Sequence, residues 1–298
     1  MPVDARRLIR KMRGGAQAHL IEAADGYFYV VKFLNNPQHR RILVNDWIGA
    51  SFLRYLGLST PQPAIVRLSV EFIAAHPDLH MQLGARRFPP EPGWHFGSRY
   101  PGDPMRAVVY DYLPDVLLLK VENRGEFAGM LAFDQWTGNA DSRQAIFFRA
   151  RLKEWSPGAQ KAAAAKFTRT SAASTGRASV GVDKERQGFV AQMIDHGFLF
   201  EGPQWRFGDS PLRGLYHRPL VYQGVTGLAD FEPWLDRIVH FPEELIDQTV
   251  KQIPPAWLDG DGESLDRLLS QLLHRRKRVP DLVEACRNGR AGVFVNWR

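Results

Sequence analysis

The chain is poor in cysteine, with Cys286 alone among 298 residues, so no disulfide can form within it and the fold must rest on its apolar core. A reducing, cytoplasmic setting is the expectation. It also lacks any uninterrupted apolar run near the ~18 residues that a membrane-spanning helix needs, which argues against a membrane protein. The basic opening, Met1 to Gly15, has no apolar run behind it, so a secretory signal is not expected. There is no internal repeat, which argues against a solenoid or propeller. Neither a helix-turn-helix pattern nor a zinc-ligand spacing is present, and direct nucleic-acid binding therefore has no motif behind it.

What is present is 44% hydrophobic residues, enough for a large core, and a net charge of +7. Part of that charge is concentrated, as in the run His274 to Arg278. An excess of this sign favours anionic partners such as phosphates and nucleotides, and it also fits a solvated helix face.

The first part of the chain reads as strands around one helix. Residues 18–23 and 27–33 flank Asp25-Gly26, a hairpin turn signal. In the second of these strands Phe28, Val30 and Lys32 share one face, and Tyr27, Tyr29, Val31 and Phe33 the other. A helix is predicted over 40–58, stopped by Gly57, Pro61 and Pro63, with Asp46 on its inward side between Ile42 and Ala50. Residues 64–73 read as a strand, and the Pro- and Gly-rich stretch that follows reads as a long loop to about residue 107. Residues 106–115 read as a strand running into a turn, and 126–139 as a helix ending near Gly138. From Leu228 onward the pattern is helical over 228–239, 242–253, 263–278 and 280–290. Residues 156–187, rich in Ala, Ser, Thr, Gly and basic residues, read as a flexible insertion. Strands first and helices last predict an α+β chain in two lobes with a ligand cleft between them.

Four features carry candidate chemistry. Gly14-Gly15 lies in a turn where backbone N–H groups could approach a phosphate, although most glycine pairs are only turns. Lys32, in mid-strand between Val31 and Phe33, needs a partner if buried, and Asp46 on the next helix can supply one; a snorkelling lysine is the plain alternative. Asn139 and Asp141 stand in a loop before the apolar "AIFF", where a carboxylate can orient a hydroxyl and take its proton, or where the chain simply makes an Asx turn. Finally, an apolar strand ends in Asp195-His196-Gly197, a carboxylate suited to Mg²⁺ or another turn.

The order of these parts resembles a protein-kinase-like phosphotransferase. The segments "MRGGAQAHL", "YVVKFLNNPQHRRILVNDW", "VVYDYLPD", "FDQWTGNADSRQAIF", "MIDHGFLF" and "DSPLRGLY" together resemble the HipA-like kinase domain family, a bacterial branch of that fold. The resemblance implies a bilobal protein with a nucleotide-binding lobe and hinge over 1–113 and a mainly helical catalytic lobe over 114–298. It implies ATP and Mg²⁺ as cofactors, and a protein Ser/Thr hydroxyl as acceptor, with an unknown protein substrate or an antitoxin-like partner. Gly14, Gly15, Ala16 and Gln17 match the phosphate-covering loop, and Lys32 the nucleotide lysine. Asp46 stands where a glutamate is usual. Tyr110, Asp111, Tyr112 and Leu113 match the adenine-holding hinge, Asp141 with neighbouring Asn139 the catalytic loop, and Asp195 the metal-binding aspartate. The departure lies after Asp141. Five residues on, where such kinases place a metal-binding asparagine, stands Ile146, and Gln144 is the nearest amide. The sequence leaves open an active kinase in which Gln144 takes that role and a nucleotide-binding pseudokinase.

Overall fold

A computed structural model describes residues 2–151, 187–289 and 293–298. The expected insertion at 156–187 lies outside the described residues except for Gln187.

The strands of the first hundred residues close on themselves. β1 (Val3–Lys11), β2 (His19–Ala23), β3 (Phe28–Lys32), β4 (Pro63–Leu68) and β7 (Gly93–Arg99) form a barrel in the order β1-β2-β3-β7-β4. A short parallel pairing of Val3 with Val66 and Asp4 with Arg67 completes the ring. The expected hairpin joins β2 to β3, with Gly26 at φ 80° and the Asp25 carboxylate accepting from the Tyr27 N–H and the Tyr29 hydroxyl. Tyr29, Val31 and Phe33 point into the barrel with Ile21, Val66 and Leu68, as the alternation predicts, and Lys32 faces the other way.

Two expectations for this region need correction. The strand read over 64–73 ends at Leu68, because the Ser69 side chain accepts from the Phe72 N–H and caps a short helix, α2 (Val70–Ala75). The long loop read as far as residue 107 holds a hairpin, β5 (Met81–Leu83) and β6 (Arg86–Phe88), and then β7, which sits between β3 and β4. Glycines and a histidine disguise β7. Gly97 is there because a Cβ would come within 2.6 Å of Val66 Cγ2. His95 is fully buried and neutral, accepting from the Leu34 N–H at Nδ1 and donating from Nε2 to the Glu91 carbonyl, and burial lowers its pKa to about 4.

α1 (Arg41–Leu56) is buried on nearly every side and ends at Gly57 in the left-handed conformation. β8 (Val109–Tyr110) is shorter than expected and joins β9 (Gln144–Arg151) and β10 (Gln187–Ile194) in the order β10-β9-β8. α3 (Asp115–Leu118) and α4 (Glu126–Thr137) precede β9, and α4 is capped by Gly138 as predicted. After β10 come α5 (Trp234–Val239), α6 (Glu243–Val250), α7 (Pro255–Leu258), α8 (Gly262–Arg275) and α9 (Val279–Gly289). The helix expected over 228–239 is interrupted at Pro233, which brings no N–H, into a 3₁₀ turn (Leu228–Phe231) and α5. These helices, α1 and the β8–β10 sheet share one large core around Phe52, Trp136, Phe147, Phe241 and Trp257. Among the described residues no helix is long and apolar enough to cross a membrane.

Candidate active site

The site grows from two adjacent residues of α1. Asn45 and Asp46 are both buried and both reach the turn that follows β10. The Asn45 amide donates to the carbonyls of Gly197, Leu199 and Gly202, and its oxygen accepts from Trp205 Nε1. Asp46 Oδ1 accepts from the His196 N–H at 2.9 Å, and its Oδ2 lies 2.6 Å from Lys32 Nζ. Lys32 also donates to Asp195 Oδ1 at 2.9 Å. A lysine buried in a strand, a carboxylate on the next helix and a carboxylate at a distant strand end thus meet at one ammonium.

The charges sustain one another. Burial alone would lower the Lys32 pKa, but the two carboxylates hold it above its ordinary value. Lys32 holds the Asp195 carboxyl below its usual range. Burial pushes the Asp46 carboxyl up to about 6 against the pull of the same lysine. An ammonium has three N–H donors, so one remains after these two contacts. Asp195 itself has φ 60°, a left-handed conformation that costs a non-glycine residue of order 1 kcal/mol. The next glycine is demanded by packing: a Cβ on Gly197 would lie 2.5 Å from Ile42 Cγ2, with Asp46 and Lys32 just beyond.

The loop Asn139–Arg143 is bound to the same turn. Ala140 N–H donates to the Phe198 carbonyl, and the Arg143 guanidinium spans from α4 to the end of β10. Arg143 grips both oxygens of Asp134, at 2.5 and 2.9 Å, and donates to the Ile194 carbonyl at 2.7 Å and to His196 Nδ1 at 3.1 Å. Because a guanidinium only donates, His196 Nδ1 must accept, which places the ring proton on Nε2, 2.9 Å from Thr60 Oγ1. His196 is therefore a buried, neutral linchpin within the turn that follows β10. Burial, with Arg143 and Lys32 nearby, drives its pKa well below the ordinary value.

Asp141 is exposed at the rim. Its Oδ1 accepts from the Ser142 N–H at 2.7 Å, and its backbone N–H donates to Asn139 Oδ1. Asn139, expected among the catalytic groups, is buried with its amide bound to Asp141 N and Asp134 Oδ1, so it shapes the loop. Ile146 is not in the loop at all. It lies in β9 opposite Gln192, since the loop is short and β9 begins at Gln144. Gln144 is exposed, pairs with Ile194 next to Asp195, and has Nε2 3.5 Å from Asp141 Oδ2.

Gly14 takes φ 117°, which only glycine adopts freely, and the turn is closed by Met12 N–H to the Ala18 carbonyl. Ala16 is buried, its carbonyl held by Asn36. The Gln17 side chain is tied to both backbone groups of Gln82, which anchors the turn to β5. In the expected hinge, Tyr110, Asp111 and Tyr112 are exposed. The Leu113 carbonyl is already engaged by Arg218, whose guanidinium lies 4.5 Å from the centre of the Tyr112 ring, so that carbonyl is not free for a ligand.

Sequence reasoning paired Lys32 with Asp46, as the structure does, and missed the Lys32–Asp195 contact, Asn45, Asp134, Thr60 and the role of Arg143. The available signal was polarity out of place: Asn45 interrupts an apolar helix, and Asp134 sits inside "LAFDQW".

Residues 6–146 match a family model. The family is that of the HipA-like kinases. The match runs from β1 through the loop that carries Asp141 and stops short of Asp195. A crystal structure of the Golgi casein kinase superposes on this chain with a TM-score of 0.51 at 11% identity, covering 99% of this chain and 77% of that one, so the fold is kinase-like. A second structure of that kinase, described with Mn/ADP bound, gives a TM-score of 0.46 at 9% identity, covering 99% and 75%. No curated protein matches the chain.

Proposed function

We propose that the chain is an ATP- and Mg²⁺-dependent kinase with a nucleotide-binding lobe over 1–113 and a catalytic lobe over 114–298, and that it phosphorylates a Ser/Thr hydroxyl on a protein. The observation that carries this reading is the buried Lys32 held between Asp46 and Asp195. Such an ammonium is preorganised, and its remaining N–H is suited to a phosphate oxygen. The glycine turn 14–17 offers backbone N–H groups, and residues 110–112 edge the proposed adenine side.

The donor set suits Mg²⁺, which takes one or two carboxylates together with phosphate oxygens and water. Asp195, whose Oδ2 is not the atom bound to Lys32, would hold it, with Gln144 as the second ligand. When bound, the ion neutralises charge on the phosphates. The chain's own part is positional. Lys32 binds and orients phosphate, and Arg143 and Asn45 fix the Asp195 turn. Asp141, with Oδ1 occupied by Ser142 N–H, presents Oδ2 to the acceptor hydroxyl, orients it and accepts its proton.

Asp141→Asn is expected to abolish transfer to an offered protein while nucleotide binding persists. Full transfer by that variant would refute the assignment. The second reading, a nucleotide-binding pseudokinase, is favoured by the lack of an asparagine five residues after Asp141, a sequence position that falls on Ile146 within β9. Nucleotide binding by thermal shift with no radiolabel transfer to itself or to any offered protein would select it.

A further inference from the structure

After β10 the chain passes, between Leu199 and Tyr216, alongside the loop that carries Asp141. Glu201 N–H donates to the Gly138 carbonyl, Gly214 N–H to the Asp141 carbonyl, and Arg143 N–H to the Leu215 carbonyl. The Gln135 amide holds the carbonyls of Ser210 and Arg213 from α4. Two carboxylates of this segment are each shared between two guanidinium groups. Glu201 accepts from Arg206 and from Arg213. Asp209 accepts from Arg275 at 2.5 Å and from Arg278 at 2.6 Å, at the end of α8 and in the turn after it. Among the described residues these four arginines pair with no other carboxylate. The backbone is held against its preference here, since Phe200 and Glu201 have φ of 58° and 55°, and such strain persists only where the surroundings over-determine it.

One carboxylate cannot neutralise two guanidinium groups, so each set carries positive charge in excess. The cluster is also short of acceptors: Arg213 Nη1 is buried without a hydrogen-bond partner. The excess is presented outward, because the Arg206 side chain is 72% exposed and that of Arg278 56% exposed, whereas Arg275 is buried beneath them. A surplus of this sign attracts anions, and guanidinium groups grip carboxylates through paired N–H donors, as they already do here. On the same stretch Leu212 is exposed and offers an apolar contact. A nucleic-acid strand would instead call for an exposed ring to stack on, and the Phe207 ring lies under Arg275, 5.3 Å from its centre. We propose that Arg206, Leu212 and Arg278 form a docking surface for an acidic protein segment, which selects acceptors that carry carboxylates to the side of the hydroxyl facing Asp141. The role as an acceptor surface rests on the kinase reading above, whereas the recognition of an acidic segment is measurable without any transfer.

The probes are two fluorescein-labelled peptides, each with a single serine, flanked by glutamates in one and by glutamines at the same positions in the other. Fluorescence anisotropy with the full chain and no nucleotide should show the glutamate peptide binding about tenfold more tightly. Arg206→Gln combined with Arg278→Gln should weaken that binding about fivefold, and either substitution alone about twofold if the pair does not fold. Arg6→Gln combined with Arg10→Gln removes the same charge from exposed positions of β1 and should change it by less than about twofold. Equal binding of the two peptides, undiminished binding by a folded Arg206 and Arg278 variant, or an equal loss in the β1 variant would each overturn the proposal. So would a single-stranded oligothymidylate that displaces the probe at a lower concentration than the unlabelled glutamate peptide does. Transfer is read separately, and the glutamate peptide should have the lower KM at similar kcat. Selective binding with no transfer to either peptide would refute the kinase reading and leave the acidic-segment surface standing.

Discussion

Replacing Arg143 with methionine tests the role given to the guanidinium. The side chain is 1% exposed and its partner Asp134 is 0% exposed. Methionine fills much of the volume, so packing is largely kept and the contacts are removed. Three groups then lose the guanidinium: the Asp134 carboxylate, whose pKa burial already raises, the Ile194 carbonyl and His196 Nδ1. Breaking a buried pair from one side costs about 3–5 kcal/mol. That is a large share of the roughly 5–15 kcal/mol by which a domain is stable. Asn139 still donates to Asp134 Oδ1, so the lower part of the range is expected. The assay is urea unfolding followed by tryptophan fluorescence. Asp134→Asn combined with Arg143→Met removes both charges, and the double variant should be less destabilised than the sum of the single ones by about 1–3 kcal/mol. A loss below about 1 kcal/mol for Arg143→Met, or strict additivity in the cycle, would refute the view of this pair as the brace between α4 and the end of β10.

Gly197→Ala should destabilise the protein by about 1–3 kcal/mol through overpacking, and its added cost should be smaller in an Ile42→Ala background, which lacks Cγ2; equal stability of Gly197→Ala and wild type in the same assay would contradict the close packing of α1. Glu126 accepts from the N–H and hydroxyl of Ser59, and burial pushes its carboxyl up to about 7 from an ordinary 4.5. The folded chain then keeps a proton that the unfolded chain has lost, so this stabilising contribution is full below about pH 4.5 and is lost as pH rises through about 7. For a half-buried group this amounts to about 1–3 kcal/mol. Glu126→Gln should flatten that part of a melting-temperature profile taken from pH 5 to 8, and an unchanged slope would count against it.

Legibility in the sequence followed locality. The β2–β3 hairpin, α1 with its glycine stop, and α4 ending at Gly138 were readable because turn and cap chemistry lies within a few residues of each element. β7 was not, because it earns its strand geometry from β3 and β4 on either side, and its own residues include two glycines and a buried histidine. The site divides in the same manner. Lys32 and Asp46 were legible as a misplaced charge and an inward acid. Arg143 was visible as a residue but not as a brace, because its partners, Asp134 and the end of β10, meet it only after the sheet has formed.

The short parallel pairing of β1 with β4 has a mechanical consequence. An open sheet can accommodate a ligand by splaying an edge strand, whereas a closed ring has no edge and every strand is restrained on both sides. The freedom left at the mouth of the candidate site is therefore confined to the turn between β1 and β2, where Gly14 and Gly15 supply backbone latitude and Gln17 limits it by its tether to Gln82. Any larger adjustment must move the barrel as a unit and carry Lys32 with it, against the contacts that tie its ammonium to Asp46 and Asp195.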